Sequence, residues 1–134
     1  MAGLTALDTP ALADTADRAP LLQRSEDTAT ADALPTVQIN DGYVWAQTTI
    51  GTTVYAVGSF SNARPAGAAV DTNLIPRSNV LAYDITTGEL VSDFAPVVNG
   101  VVKAVAASPD GTRLYIGGSF NSVNGQTRWN FAVL

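Results

Sequence analysis

The chain of 134 residues contains no cysteine and no histidine. Without cysteine there are no disulfides, no thiolate zinc sites and no thiol nucleophile. Without histidine there is no imidazole base and no Ser-His-Asp system. Any catalysis would have to rest on carboxylates, tyrosines, the single lysine Lys103 or a borrowed cofactor. The lack of cysteine leaves the compartment open, because a β-rich exported protein can fold without disulfides. Positive charge is scarce as well: seven Lys and Arg stand against twelve Asp and Glu, a net charge of −5. Phosphate binding needs clustered bases, so no nucleic-acid partner is expected. No apolar run approaches the roughly 18 residues of a membrane-spanning helix.

Residues 1–36 also lack aromatics and are rich in Ala, Thr, Asp and Pro. Their apolar residues are too scattered to bury a face, which predicts a disordered tail. Within it, Ala11-Leu12-Ala13 is a small-x-small triplet of the kind signal peptidase accepts, with cleavage between 13 and 14. No basic segment precedes it, and Asp8 interrupts the apolar stretch. The expectation is the remnant of a longer signal peptide that begins upstream of Met1, hence a secreted or cell-surface protein. An ordinary alanine-rich tail is the alternative.

From Val37 onward, aromatics, Val, Ile and Thr form short alternating runs broken by Gly, Asn and Asp. This is the pattern of strands and turns, without a sustained helical period. An offset of 60 lays 44–61 on 104–121 with seven identities: Ala46/Ala106, Gly51/Gly111, Thr52/Thr112, Tyr55/Tyr115, Gly58/Gly118, Ser59/Ser119 and Phe60/Phe120. The offset then drops to 51, laying Arg77-Ser78-Asn79 on Arg128-Trp129-Asn130. The difference is an insertion at 67–75. A period near 50 residues made of strands points to propeller blades or a related array. The first unit, 37–100, is expected to hold strands at 43–48, 54–60, 79–84 and 89–94. The second, 101–134, is expected to hold strands at 101–107, 113–119 and 129–134, with the fourth missing. Turn chemistry supports this: Asp110-Gly111 in "SPDGTR" and Gly88 in "DITTGEL" supply the left-handed conformations that hairpins need.

The segment "SDFAPVVNGVVKAVAASPDGTRLYIGGSFNSVNGQTRWNFAVL", 92–134, resembles the delta-60 repeat family of bacterial β-propellers. The shared marks are F-x-P…N-G-x-V, A-x-x-P-D-G, G-G-x-F…V-N-G and R-x-N. The first unit resembles it more loosely, with Val57 in place of a glycine and "ARPAG" in place of "VNG". The resemblance implies an all-β fold of four-stranded antiparallel blades, here about one and a half, in a long and often exported chain. It implies no fixed catalytic residues. The chain is therefore expected to be a fragment of a longer propeller, poorly stable alone or self-associating, because an unclosed array leaves open edges.

Gly58, Phe60, Asn79, Gly111, Gly118, Phe120 and Asn130 are read as structural repeat positions. Arg77/Asn79 and Arg128/Asn130 could mark a ligand-facing ring or hold loop backbone at a strand entry. Asp84, Asp93 and Asp110 fall at turns or strand ends, where solvated carboxylates are common; a glycosidase pair is the sharper alternative. No calcium loop, glycosylation sequon or phosphate loop is present. Trp129 replaces the Ser78 of the first unit and is the freest aromatic. The segment 61–78, which carries the insertion, is the best candidate for recognition, because long loops carry binding. The candidate ligand-facing residues are Arg64, Asn73, Arg77 and Trp129. The expected function is a non-catalytic binding or display module with no cofactor. Its partners would be further blades or a second copy, and a protein or carbohydrate ligand. The alternative is a fragment of a propeller enzyme, carbohydrate-active or quinoprotein-like. "AYDITTGELV" resembles the D-x-x-T-G hairpin of quinoprotein propellers, which hold pyrroloquinoline quinone and calcium. There a tryptophan docking element follows; here Phe94 does.

Overall fold

The computed structural model describes residues 33–134. Eleven strands follow one another: β1 (Gln38–Ile39), β2 (Tyr43–Ile50), β3 (Thr53–Ser59), β4 (Asn62–Arg64), β5 (Ile75–Pro76), β6 (Val80–Asp84), β7 (Val101–Ala107), β8 (Leu114–Ser119), β9 (Ser122–Val123), β10 (Gln126–Thr127) and β11 (Phe131–Val133). There is no helix among the described residues, so none is long and apolar enough to cross a membrane. The all-β expectation holds. Two three-stranded antiparallel sheets dominate, ordered β2-β3-β6 and β11-β8-β7. Two smaller sheets, β1-β4-β5 and β10-β9, sit beside them.

Residues 1–32, with the expected cleavage point at 13/14, lie outside the described residues. Residues 33–36, assigned to the tail from sequence, form no strand but are in contact with the fold. The Pro35 carbonyl lies against Gly88, and the Val37 N–H donates to the Gly88 carbonyl at 2.8 Å.

The long strands fall where alternation places them; the expected fourth strand at 89–94 does not form. It is reduced to one bridge between Tyr83 and Leu90 and a bond from the Val91 N–H to the Ala82 carbonyl at 2.9 Å. The Arg77 guanidinium donates to the carbonyls of Val91 and Ser92 at 3.4 and 3.2 Å. Those carbonyls are engaged by a side chain, and the ladder stops there.

The two main sheets share backbone devices. Val44 pairs with Gly58, and Val102 pairs with Gly118. A register shift follows at once in both, between Val44 and Ala46 and between Val102 and Ala104. β2 therefore corresponds to β7 at an offset of 58, whereas β3 corresponds to β8 at 60. The gapless alignment of 44–50 on 104–110 needs this correction. The β2–β3 connection is the two-residue loop Gly51-Thr52, whereas the β7–β8 hairpin runs through Pro109, Asp110, Gly111 and Thr112. The expected left-handed glycines are present, Gly88 at φ 74° and Gly111 at φ 68°.

Two apolar clusters hold the sheets. In one, Val57 and Val80 of the first sheet pack with Val98, Val102, Leu114, Ile116 and Ala132, which lie in or beside the second. In the other, Ala56, Phe60, Ala63 and Leu81 pack with Val37, Ile39, Tyr83 and Leu90. Burying a Val, Leu or Ile side chain stabilises by about 1.5–3 kcal/mol. Three strands are about the minimum for a stable sheet, and the larger of the two clusters is the one that joins the sheets.

Gly118 and its neighbour Gly117 make a direct test of the close approach. A Cβ on Gly118 would collide with the Val101 carbonyl and the Val102 Cα, while one on Gly117 would meet only the Asn130 carbonyl, at 3.8 Å. The expected outcome is that Gly118→Ala destabilises by about 1–3 kcal/mol and Gly117→Ala by less than about 0.5 kcal/mol. Urea unfolding midpoints at constant slope read the difference. Equal losses would mean that backbone proximity does not set the glycine requirement.

Candidate functional site

The sequence candidates separate into three places. Arg64 ends β4, and Asn73 lies in the connection 65–74 that leads to β5. This connection contains most of the expected insertion. It turns through left-handed residues Asp71 at φ 61° and Asn73 at φ 51°, which Asp and Asn tolerate better than other non-glycine residues. Arg64 donates to the Ala68 carbonyl, folding the loop on itself. Asn40 and Asp71 pair twice: the Asn40 amide donates to the Asp71 carboxylate, and the Asp71 N–H donates to the Asn40 side chain, both at 2.9 Å. Val70 and Leu74 remain exposed. The loop is thus pinned at both shoulders and presents a mixed apolar and polar tip.

Arg77 is not in that surface. It is buried, and besides Val91 and Ser92 it donates to the Pro76 carbonyl at 2.7 Å. Burial holds its guanidinium below its ordinary value, though an arginine remains charged. Arg128 is exposed and donates to the Thr127 carbonyl at 2.8 Å and to Gln126 at 3.2 Å. Neither arginine is arranged as a binding ring; both hold local backbone.

The two asparagines show why that residue type stands there. Asn79 has φ 67° and Asn130 φ 59°. Asn79 donates from its N–H to the Phe60 carbonyl at 3.0 Å and accepts from the Gly58 N–H at 2.9 Å. Asn130 makes the same pair with Phe120 and Gly118, at 2.9 and 3.0 Å. The Asn79 side chain also accepts from the Phe60 N–H at 3.0 Å and donates to the Val98 carbonyl at 2.8 Å. With its amide set so that the nitrogen meets the acceptors it faces, Asn130 reaches the Gly118 and Phe120 carbonyls of its own sheet, at 3.2 and 3.3 Å. Phe60 and Phe120 are both buried.

A polar pair missed from sequence does similar work. Asp41 accepts from the N–H groups of Ser61 and Asn62 at 3.1 and 2.8 Å. Asn99 accepts from those of Asn121 and Ser122 at 3.1 and 2.9 Å. The signal was present, since Asp41-Gly42 and Asn99-Gly100 are related by the offset of 58. The gapless offset of 60 concealed it.

Trp129 is far out in solvent, in neither the loop nor the Arg77 cluster. Tyr43 and Trp45 form an exposed edge-to-face pair with centroids 5.4 Å apart. Beside them lies an open pocket of about 150 Å³ lined by Thr36, Val37, Ile39, Val44, Gln47, Ala56, Leu81 and Tyr83. Small-molecule sites usually measure about 300–1,000 Å³, so this hollow suits a few side chains better than a ligand. Burial raises the Tyr83 hydroxyl above its ordinary value. Phe94, at the place considered for a quinone docking element, packs edge-on against Tyr55 at 5.0 Å. No group of three or more Asp and Glu among the described residues could hold a metal.

The carboxylates serve turns. Asp84 caps the 84–88 hairpin, accepting from the hydroxyl and N–H of Thr86, the N–H of Thr87 and the hydroxyl of Thr52. Those bonds, led by the Thr86 hydroxyl, hold its carboxyl below the ordinary value. Asp110 is lowered likewise, first by the Ser108 hydroxyl at 2.5 Å and then by Thr112. Neither has the raised value of a general acid. A lowered carboxyl contributes stability above the unfolded value near about pH 3.9, which is lost as pH falls through the folded value. In an Asp84→Asn, Asp110→Asn double variant, melting temperature is expected to fall less between about pH 5 and pH 2.5 than in the parent. An unchanged acid drop would show that these turns do not contribute.

No family model matches the chain, and no curated protein or solved structure matches it.

Proposed function

We propose that the two main sheets are successive blades of a propeller-like array, and that the chain is a non-catalytic binding or display module of an exported or cell-surface protein. The observation that carries this reading is the use made of the polar side chains that recur between the sheets. Asp41 and Asn99, and Asn79 and Asn130, spend their hydrogen bonds chiefly on nearby backbone. Such residues build a scaffold, and their side chains are engaged in holding backbone instead of standing free for acid–base work. Recognition then falls to what does not recur, the 65–74 loop with Arg64 and Asn73.

Two measurements test this. Replacing residues 67–72 by a short Gly-Ser linker is expected to shift the melting temperature by no more than a few degrees, since all the side-chain bonds it removes are exposed except the part-buried one from Arg64 to the Ala68 carbonyl. Loss of cooperative unfolding would make the loop part of the scaffold and overturn its assignment to recognition. Titration with pyrroloquinoline quinone and calcium is expected to leave the melt unchanged. Saturable stabilisation with co-eluting quinone absorbance would favour the quinoprotein reading instead.

A further inference from the structure

Each main sheet has one residue left over at its bulge. In the first sheet Val44 pairs with Gly58 and Ala46 with Val57, which leaves Trp45 without a partner in the ladder. In the second Val102 pairs with Gly118 and Ala104 with Gly117, which leaves Lys103. A bulge re-aims side chains out of the regular alternation, and bulges are common beside functional sites. Trp45 is 56% exposed, and Tyr43, edge-on against it at 5.4 Å, is 52% exposed. Lys103 is exposed as well. It is the only charged residue on either strand and the only lysine of the chain. β2 and β7 touch across the joint, so the two left-over residues stand at equal register on neighbouring strands.

This exposure does not depend on the ends of the described segment. Trp45 is open with the second sheet packed against one side of its own sheet. Lys103 is open with the first sheet packed against the opposite side of its own. The two positions are equivalent, so each sheet shows the other with the neighbour it lacks among the described residues. The acid nearest to Trp45 in sequence, Asp41, is turned to the N–H groups of Ser61 and Asn62.

An aromatic pair beside a single ammonium group selects a particular chemistry. The rings offer apolar area that gains from being covered. A pyranose presents C–H groups on its face and hydroxyls on its rim, so it can lie on an aromatic ring while its polar groups stay in water. One cation on a chain of net charge −5 suits one carboxylate, whereas a polyphosphate needs clustered bases. We infer that Tyr43, Trp45 and Lys103 form a site for an acidic sugar, a uronic acid unit of a polysaccharide. The inference rests on the reading of the chain as a binding module and adds a second site, on β2 and β7, to the 65–74 loop. Trp45 is the stacking platform, Tyr43 supports the indole from its edge, and Lys103 meets the carboxylate on the sugar rim.

The test titrates the whole chain with tri-galacturonate and with its methyl ester, which keeps the rings and removes the charge. Nuclear magnetic resonance shifts read the binding. Saturable binding of both probes is expected. At low salt the acid is expected to bind about two- to fivefold tighter than the ester, the worth of one exposed ion pair. In about 0.5 M salt the two are expected to bind alike. Lys103→Gln is expected to erase the same preference at low salt without changing ester binding. Trp45→Ala is expected to weaken both probes by about tenfold or more. Circular dichroism checks its fold, and Tyr43→Ala is the second variant of the platform. Equal binding of acid and ester by the parent chain at low salt overturns the inference, and so does unchanged binding by both aromatic variants. A parent chain that binds neither probe overturns it too, while the scaffold reading is still judged by the melt of the loop replacement. Binding that is lost when residues 67–72 are replaced and kept in Trp45→Ala assigns recognition to the loop, and only this second site is then wrong.

Discussion

The seam where Val57 and Val80 meet Val98, Val102 and Ile116 is the contact on which the rest of the structure depends. Each main sheet has three strands, about the smallest number that can be stable, and only with its apolar face covered. The seam gives each sheet a covered face and gives the segment around 94–98 a place to run. It also explains why the fold can tolerate so much loop. The interior is mostly Val, Ala, Leu and Ile with Phe60 and Phe120 among them, packed closely against the facing sheet.

Close approach within each sheet follows from the same constraint. Gly58 and Gly118 let neighbouring backbone pass where a Cβ would strike a carbonyl, and the bulge beside each turns the first strand over the core. Gly117 lacks that constraint, which accounts for Val57 at the matching position of the first sheet. There the side chain has a facing sheet to pack on. Polar residues then close the loops. Asp41, Asn79, Asn99 and Asp84 all accept from N–H groups that the short strands leave over. This economy leaves the turns of the described residues well supplied with hydrogen-bond partners.

The surfaces left most open are the pinned loop at 65–74 and the strip formed by Trp129, Phe131 and Val133. The loop is specific to the first unit and is held from outside, by Asn40.

Alternation alone determined the long strands at 43–50, 53–59, 80–84, 101–107 and 114–119 to within a few residues, because period two is a property of neighbouring side chains. The glycines at 88 and 111 were legible for the same local reason. Tertiary structure decided the remainder. The expected strand at 89–94 stops after Leu90, where the Val91 and Ser92 carbonyls meet the Arg77 guanidinium, 14 and 15 residues away in sequence. Arg77 itself could be read from sequence as ligand-facing or structural, and only its burial shows that its hydrogen bonds are spent inside. The true correspondence of β2 with β7 was hidden by a hairpin two residues longer in the second unit, which pairing partners reveal and identities do not. Trp129 was recognisable as the odd aromatic. That it stands on the same open face as Phe131 and Val133 depends on which side of the sheet the chain leaves uncovered, a fact of packing that no local pattern carries.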